Sequence, residues 1–386
     1  MNKKEVKKAP ALRFKGFTND WEQRKPGDFL VESKIIGHKG DKAKKLTVKL
    51  WGKGVQEKQD ILSGSANTQY YIRKSGQLMY GKLDFLHAAF GIVPSQLNNY
   101  ESTIDSPSFD VKSANSIFLL NLFLRKKFYL YYGERANGSR KAKRIHEKDF
   151  LVMPIKMPEI NEQNKISNLI EIVNNRITLQ QRKLRQLKLL KNALLKRMFT
   201  AKKSPTLRFR DFSKDWKLHK LQDITDRLDN ARVPVTASKR IAGSTPYYGA
   251  NGIQDYVKGY THDGEFLLVA EDGANNINDY PVICAKGKIW VNNHAHVLQA
   301  KNKKIDILFL MYALKFLNMK KYLVGGSRSK LNAETMMKLA LKLPELDEEH
   351  NIGVLIKNMD VLITQYKSRI QKINKFKQFL LQNMFI

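Results

Sequence analysis

Few stretches of this chain hold side chains that could do chemistry, and each lacks a necessary piece. Gly76-Gln-Leu-Met-Tyr-Gly81-Lys82 has the spacing of a phosphate-cradling loop. Leu83 follows, however, where a Ser or Thr should hold magnesium, so the segment reads as a strand. His294-Ala-His296 could set two imidazoles on one strand face as metal ligands, but no Cys or carboxylate cluster completes that site. Asp105 with Asp110-Val-Lys112 resembles nuclease carboxylates at too short a spacing. The Asn-Pro-Pro-Tyr run with which amino-methyltransferases hold a flipped base does not occur. The chain reads as built to bind.

Charge indicates what it binds. The 386 residues carry 69 Lys plus Arg against 36 Asp plus Glu, a net +33, which favours a polyanionic partner. Between Asn174 and Lys203 basic residues stand with no acidic one. Between Arg125 and Lys148, Arg125, Lys126, Lys127, Arg135, Arg140, Lys141, Lys143, Arg144 and Lys148 are opposed only by Glu134 and Glu147. No apolar run approaches the roughly 18 residues of a membrane span. The N-terminus lacks the apolar stretch of a secretory signal. A lone cysteine, Cys284, excludes an internal disulfide and fits a reducing compartment. The expected location is the cytoplasm.

The elements that position these residues come in duplicate. PALRFKGFTNDWEQRKPGD from Pro10 returns as PTLRFRDFSKDWKLHKLQD from Pro205, a separation of 205 − 10 = 195. MPEINEQNKISNLIEIVNNRIT from Met157 returns as LPELDEEHNIGVLIKNMDVLIT from Leu343, separated by 343 − 157 = 186. After Pro158 no Gly or Pro appears until Pro205, which predicts one long helix. Its heptad seam comprises Ile170, Ile177, Leu184, Lys191 and Met198, with Val173, Gln180, Leu187 and Leu194. The copy gives Ile356, Ile363, Ile370, Lys377 and Met384, with Met359, Tyr366, Ile373 and Leu380. Matching seams predict an antiparallel pair, each helix of roughly 40 residues about 60 Å long. That exceeds a turn of duplex DNA, about 34–36 Å.

The regions between the repeats read as mixed α/β, with short apolar runs broken by Gly, Asn and Asp turns. Their apolar register is expected at a constant separation of 188. Ser75 then falls on Asp263, Asn115 on Lys303, and Gly138-Ser139-Arg140 on Gly326-Ser327-Arg328. On that register His294 and His296 meet Ser106 and Ser108.

Two variable regions, each opened by Leu-Arg-Phe…Phe…Trp and closed by Gly-Ser-Arg, Pro-Glu and a long basic helix, resemble the DNA specificity subunit of type I restriction–modification systems. STPYYGANGIQDYV, LLVAEDGAN and GKIWVNNHAHVL of the second region carry the resemblance most clearly. It implies an α+β chain: two globular mixed α/β target-recognition domains joined by two long antiparallel coiled-coil-like helices, related by a pseudo-twofold duplication. The expected bounds are an arm and first recognition domain over 1–155, a spacer helix over 156–203, a second recognition domain over 204–342 and a distal spacer helix over 343–386.

The resemblance further implies that each domain reads one half of a split, asymmetric site in double-stranded DNA. The helices would set the gap and dock two methyltransferase subunits, with restriction subunits joining later. S-adenosylmethionine, ATP and magnesium would sit on those partners, leaving this chain non-catalytic and metal-free. Candidate DNA contacts in the first domain are Lys44, Lys45, Lys49, Lys53, Tyr70, Arg73, Lys82, Arg140, Lys141, Lys143 and Arg144. In the second they are Lys239, Arg240, Tyr247, Tyr248, Asn251, Asn275, Asn276, Asn292, Asn293, His294, His296, Arg328 and Lys330. Arg140 and Arg328, in register in both copies, are expected to serve phosphate or scaffold roles. The competing readings are a self-contained nuclease and a basic coiled-coil adaptor that binds nucleic acid without sequence preference.

Overall fold

The computed structural model describes residues 9–59, 64–135, 143–199, 204–301, 305–326 and 329–386. The chain divides into two compact units, Met1–Leu179 with Ile370–Ile386, and Gln180–Arg369. Two long helices, Ile160–Met198 and Leu346–Asn383, each give one part to either unit. In the first unit Ile166, Ile170, Val173 and Ile177 share a core with Ile373, Leu380 and Met384. In the second, Leu194 and Met198 share a core with Ile352 and Ile356. In both, the start of one helix meets the end of the other, so the pair is antiparallel. Of the seam, Ile170, Val173, Ile177, Ile356, Met359, Ile363 and Leu380 are buried, while Leu184, Leu187, Leu194, Ile370 and Ile373 are half-buried. Among the described residues no helix is long and apolar enough to cross a membrane.

The Leu-Arg-Phe arms exist to seal these cores. Arg13 donates from Nε and Nη2 to Glu162 at 2.8 and 2.7 Å, and Arg208 makes the same fork with Glu348 at 2.8 and 2.7 Å. Both carboxylates are fully buried, where a paired guanidinium fork is the arrangement that makes their burial tolerable. Trp21 lies edge-on to Phe118 at 5.6 Å, and Phe118 stacks on Phe385 at 5.0 Å. Trp216 repeats this with Phe309 at 5.7 Å, and Phe309 stacks on Phe199 at 5.2 Å. Trp21 also donates to Glu162, at 3.2 Å, whereas the Trp216 Nε1 has no partner among the described residues.

Each domain is closed at its neck by a two-stranded ribbon in the same register, Glu22 opposite Met157 and Lys217 opposite Leu343. Beyond it lies an antiparallel four-strand frame. In the first domain the spatial order is Leu30–Ser33, Ser108–Val111, Leu78–Tyr80, Phe90–Ile92. In the second it is Thr225–Arg227, Ala295–Ala300, His262–Ala270, Val282–Val291, after which Ala242–Gly249 and Gly252–Val257 extend the sheet. One helix per domain packs against the frame, Ser116–Phe123 capped by Asn115 and Ile307–Phe316 capped by Asp306. Gly353 admits the second of these caps, since a Cβ there would stand 3.1 Å from the Phe309 nitrogen and 3.2 Å from Asp306 Oδ1.

The constant separation of 188 does not hold. Strand partners place Leu78 on Leu267 and Phe109 on Leu298, both 189 apart, and Phe90 on Val282, 192 apart. The capping residues Asn115 and Asp306 are 191 apart. His296 therefore matches Pro107, and His294 matches Asp105. A one-residue slip exchanges the two faces of a strand, but Leu78–Tyr80 and Phe266–Ala270 are buried on both faces. With no apolar–polar alternation, the sequence has nothing to report the slip. Of the paired Gly-Ser-Arg segments, residues 138–140 and 327–328 lie outside the described residues.

Candidate nucleic-acid interface

The two frames agree, and what differs is inserted between their first and third strands in space. In the first domain residues 34–77 form strands Ile35–Lys39 and Gln69–Ile72, which join Glu101–Ser102 in a three-stranded sheet, and a hairpin of Leu46–Val48 with Val55–Glu57. In the second, residues 228–261 form the Ala242–Gly249/Gly252–Val257 hairpin. It joins the frame through parallel pairing of Tyr247 with Trp290.

In the first domain four of the candidate contacts turn inward, and we correct those assignments. Arg73 is 2% exposed. It donates to Ser102 Oγ at 2.7 Å and, at 2.9 Å each, to the Ser33 carbonyl and Ser108 Oγ. Burial pulls the guanidinium down to about 10, with Glu32, Tyr71 and Glu147 pushing back. Lys82 is buried in an ion pair with Glu147 at 2.7 Å; burial raises the Glu147 carboxyl, but the Lys82 hydrogen bond, a backbone hydrogen bond and the Lys82 charge together hold it below its usual range. Tyr70 is buried beneath the Lys45 ammonium, 5.7 Å from its ring. Each of these residues is basic or aromatic, and its apolar stem or ring lets the fold bury it.

Lys44, Lys49, Lys53 and Arg144 are exposed, the last 3.7 Å from Asp105. Lys143 is half-buried and its ammonium donates to the Glu134 carbonyl. Arg140 and Lys141 lie outside the described residues. Lys49 and Lys53 flank one hairpin tip, so the structure brings these two together.

In the second domain Tyr247 is the post around which residues 232–240 wrap. Only 1% exposed, it accepts from the Val235 N–H at 3.0 Å and donates to the Val235 carbonyl at 3.2 Å. Arg240 lies 4.1 Å from its ring centroid, donates to the same carbonyl at 3.1 Å and reaches Asp255 at 3.4 Å. Tyr248 and Asn292 are buried too, Asn292 accepting from the His294 N–H at 2.8 Å.

His296, 1% exposed, is an interior hub. Its Nδ1 lies 2.7 Å from Asp229 and its Nε2 2.9 Å from the Leu331 carbonyl. Both ring nitrogens thus face oxygen partners, so the ring is held on two sides. Arg232, 2.7 Å from Glu271, and Lys330, 2.8 Å from it, complete an ion-pair network. Burial raises Asp229 and Glu271, but His296, Arg232 and Lys330 overcome it and hold both carboxyls below their usual range. His294 pairs with Asp272 at 2.6 Å. Among the described residues no group of three His, Cys, Asp or Glu could hold a metal ion.

Asn251 ties the hairpin tip to the neighbouring loop, donating to the Gly273 carbonyl and accepting from the Asn275 N–H, both at 2.9 Å. Asn276 accepts from the Asn278 and Asp279 N–H groups, so it shapes its turn before it can touch a ligand. Lys239, Asn275, Asn276, Asn293 and Lys330 are exposed; Arg328 lies outside the described residues.

The exposed aromatics Trp51, Tyr256 and Tyr260 were missed, although each stands on an insert, and Tyr260 sits beneath Lys288 at 4.7 Å. An aromatic beside Gly and Lys in a turn, as in Leu50-Trp51-Gly52-Lys53, was the available signal.

A family model described as the type I restriction modification DNA specificity domain matches residues 213–375. A Haemophilus influenzae protein named as a type I restriction enzyme specificity subunit is 39% identical over 151 residues, 39% of this chain and 38% of that protein. The EcoprrI specificity subunit of Escherichia coli is 30% identical over 117 residues, 30% of this chain and 28% of its own length. The chain thus spans less than half the length of these relatives. Its fold is similar to the type I restriction-modification S subunit from M. genitalium, with a TM-score of 0.65 at 14% identity over 98% of this chain and 99% of that one. Residues 213–375 thus match the type I restriction modification DNA specificity domain, and the chain is similar in sequence to parts of type I restriction enzyme specificity subunits and in fold to an S subunit.

Proposed function

We propose that this chain is the non-catalytic DNA-binding specificity subunit of a type I restriction–modification complex. Each domain reads one half of a bipartite, asymmetric site, and the antiparallel helices set the gap and dock two methyltransferase subunits, with restriction subunits joining that assembly in the cytoplasm. S-adenosylmethionine, ATP and magnesium belong to those partners. The chain's own part is recognition: cations position it on phosphates, and a few side chains on the inserts read base edges.

The observation that carries this reading is the pairing of identical frames with unlike inserts. Both domains keep one strand order, one arm clamp and one neck register, while residues 34–77 and 228–261 differ in fold and side chains. A shared frame with different reading surfaces suits a target whose halves differ. Each good bidentate base contact contributes about 1–3 kcal/mol of discrimination.

Mapping methylated adenines in a genome carrying this chain and its partner subunits tests the reading. The expected result is one non-palindromic motif in two parts with a fixed gap. A palindromic or unsplit motif would overturn it. DNA cleavage by the purified chain with magnesium alone would instead favour a self-contained nuclease, and a uniform footprint would favour a non-specific adaptor.

A further inference from the structure

The geometry points to Trp51 as a DNA-reading side chain of the first domain, a role that rests on the proposed function. Trp51 is 58% exposed at the tip of the Leu46–Val48/Val55–Glu57 hairpin. Its φ of 60° and the 65° of Gly52 place two consecutive residues in the left-handed region, and the Lys53 N–H donates to the Leu50 carbonyl at 3.4 Å across them. This is the backbone pattern of a tight hairpin turn whose first central position is ordinarily Asn, Asp or Gly. A bulky aromatic is among the worst occupants of that position, and such strain persists where the surroundings over-determine it and function uses it.

The surroundings do over-determine it. The Trp51 N–H donates to the His87 carbonyl at 2.7 Å and the Gly52 N–H to the Ala88 carbonyl at 2.9 Å. Gly52 lies so close to Leu124 that a Cβ there would stand 3.0 Å away. The His87 ring meets the indole edge-on at 5.4 Å, fixing its direction. A strained and tethered indole that stays more than half exposed is held ready for a ligand.

Charge and place select the ligand. Lys49 and Lys53 flank the indole, are exposed, and have no carboxylate partner among the described residues. The hairpin belongs to the insert that the second domain lacks, so it carries information about one half-site only. Flanking cations that contact phosphates while an aromatic face or edge meets the bases is a recurring nucleic-acid arrangement. The second insert places Tyr256 and Tyr260 comparably, with Lys288 over the latter.

The test selects duplexes from a randomised pool with the full-length wild-type chain, then measures their affinity for W51N and W51F. Asn tolerates the left-handed turn, so W51N should fold with unchanged or higher thermal stability while losing about tenfold or more in affinity. W51F should retain affinity within about threefold, and the tryptophan emission lost in W51F should be the component that duplex quenches in the wild type. Equal binding by W51N and the wild type, with no DNA-quenched Trp51 emission, overturns this inference alone and would assign the tip to a protein contact. A wild-type chain that enriches no duplex overturns the proposed function and this inference together.

Discussion

Lys191 Nζ stands 2.5 Å from Asp360 Oδ1 within the second unit, joining the two long helices through a charge in an otherwise apolar seam. Tyr312 donates to the other Asp360 oxygen at 2.8 Å, and the Lys191 ammonium lies 5.6 Å from its ring. The equivalent lysine of the first unit is Lys377, at 191 + 186 = 377. The position equivalent to Asp360 is Asn174, since 360 − 186 = 174. One lysine therefore has a carboxylate and the other has an amide in that place. Burial accordingly lowers the Lys377 pKa.

Removing the Lys377 charge and removing the paired Asp360 carboxylate should have opposite effects. K377M removes a half-buried charge and should stabilise the chain by about 0.5–1 kcal/mol, whereas D360N should cost about 1–2 kcal/mol. Because the folded pKa of Lys377 is depressed, the unfolded state binds the extra proton between the folded and ordinary lysine values. The wild type should gain stability through that window, so its deficit against K377M should shrink as pH rises. Urea unfolding near pH 7 and pH 10 measures both effects; a pH-independent difference would contradict the assignment.

Glu349 offers a second contrast between the halves. It is buried beside the Asp306 cap, whose N–H donates to it at 2.8 Å, where the first unit has Gln163 and Asn115. Burial drives its carboxyl up to about 8, with the Asp306 charge adding to it and the Asp306 N–H opposing it. The native state thus holds a proton that the unfolded chain releases near 4.5, and this contribution to stability is lost as pH climbs from there through about 8. E349Q should be more stable than the wild type by about 2–4 kcal/mol near pH 9 and nearly equal to it near pH 5. Denaturant midpoints at the two pH values decide it.

The arm clamps should be strongly coupled. E162Q or E348Q leaves a guanidinium facing a fully buried site without its counter-charge, at a cost of about 3–5 kcal/mol. The double variant R208M/E348L should cost much less than the two single changes combined, because both charges leave together. A double-mutant cycle followed by thermal unfolding would show additivity if the forks were merely superficial.

Lys49 and Lys53 separate from Arg73 by assay. K49M/K53M should leave stability within about 0.5 kcal/mol and make the log-affinity against log-salt slope for duplex DNA shallower by about 2. R73M should leave the slope alone but destabilise by about 2–4 kcal/mol, since the Ser102 and Ser108 hydroxyls lose their buried partner. A slope that changes with R73M and not with the lysine pair would reverse the two roles.

A one-turn deletion between Gln180 and Lys191, matched between Tyr366 and Lys377 to keep the seams in register, should alter the gap tolerated between half-sites. Selection from duplexes of graded spacing reads this directly, and an unchanged preferred gap would remove the spacing role.

The residue pattern alone determined the duplication, the two long helices and their seams. Those features rest on local periodicity, breaker-free length and repeated words such as Leu-Arg-Phe, all written in consecutive residues. Only the tertiary structure decided the strand register, which is 189 for the two central strands and not a constant 188, because a strand buried on both faces shows no alternation to read. It also decided which charges are available. Arg73, Lys82, Tyr247 and His296 are indistinguishable by type from exposed contacts, yet each is committed to partners distant in the sequence, while Trp51, unremarked as a letter, is held out at a strained turn. Exposure is set by which segments fold over one another, and that is a property of long-range packing.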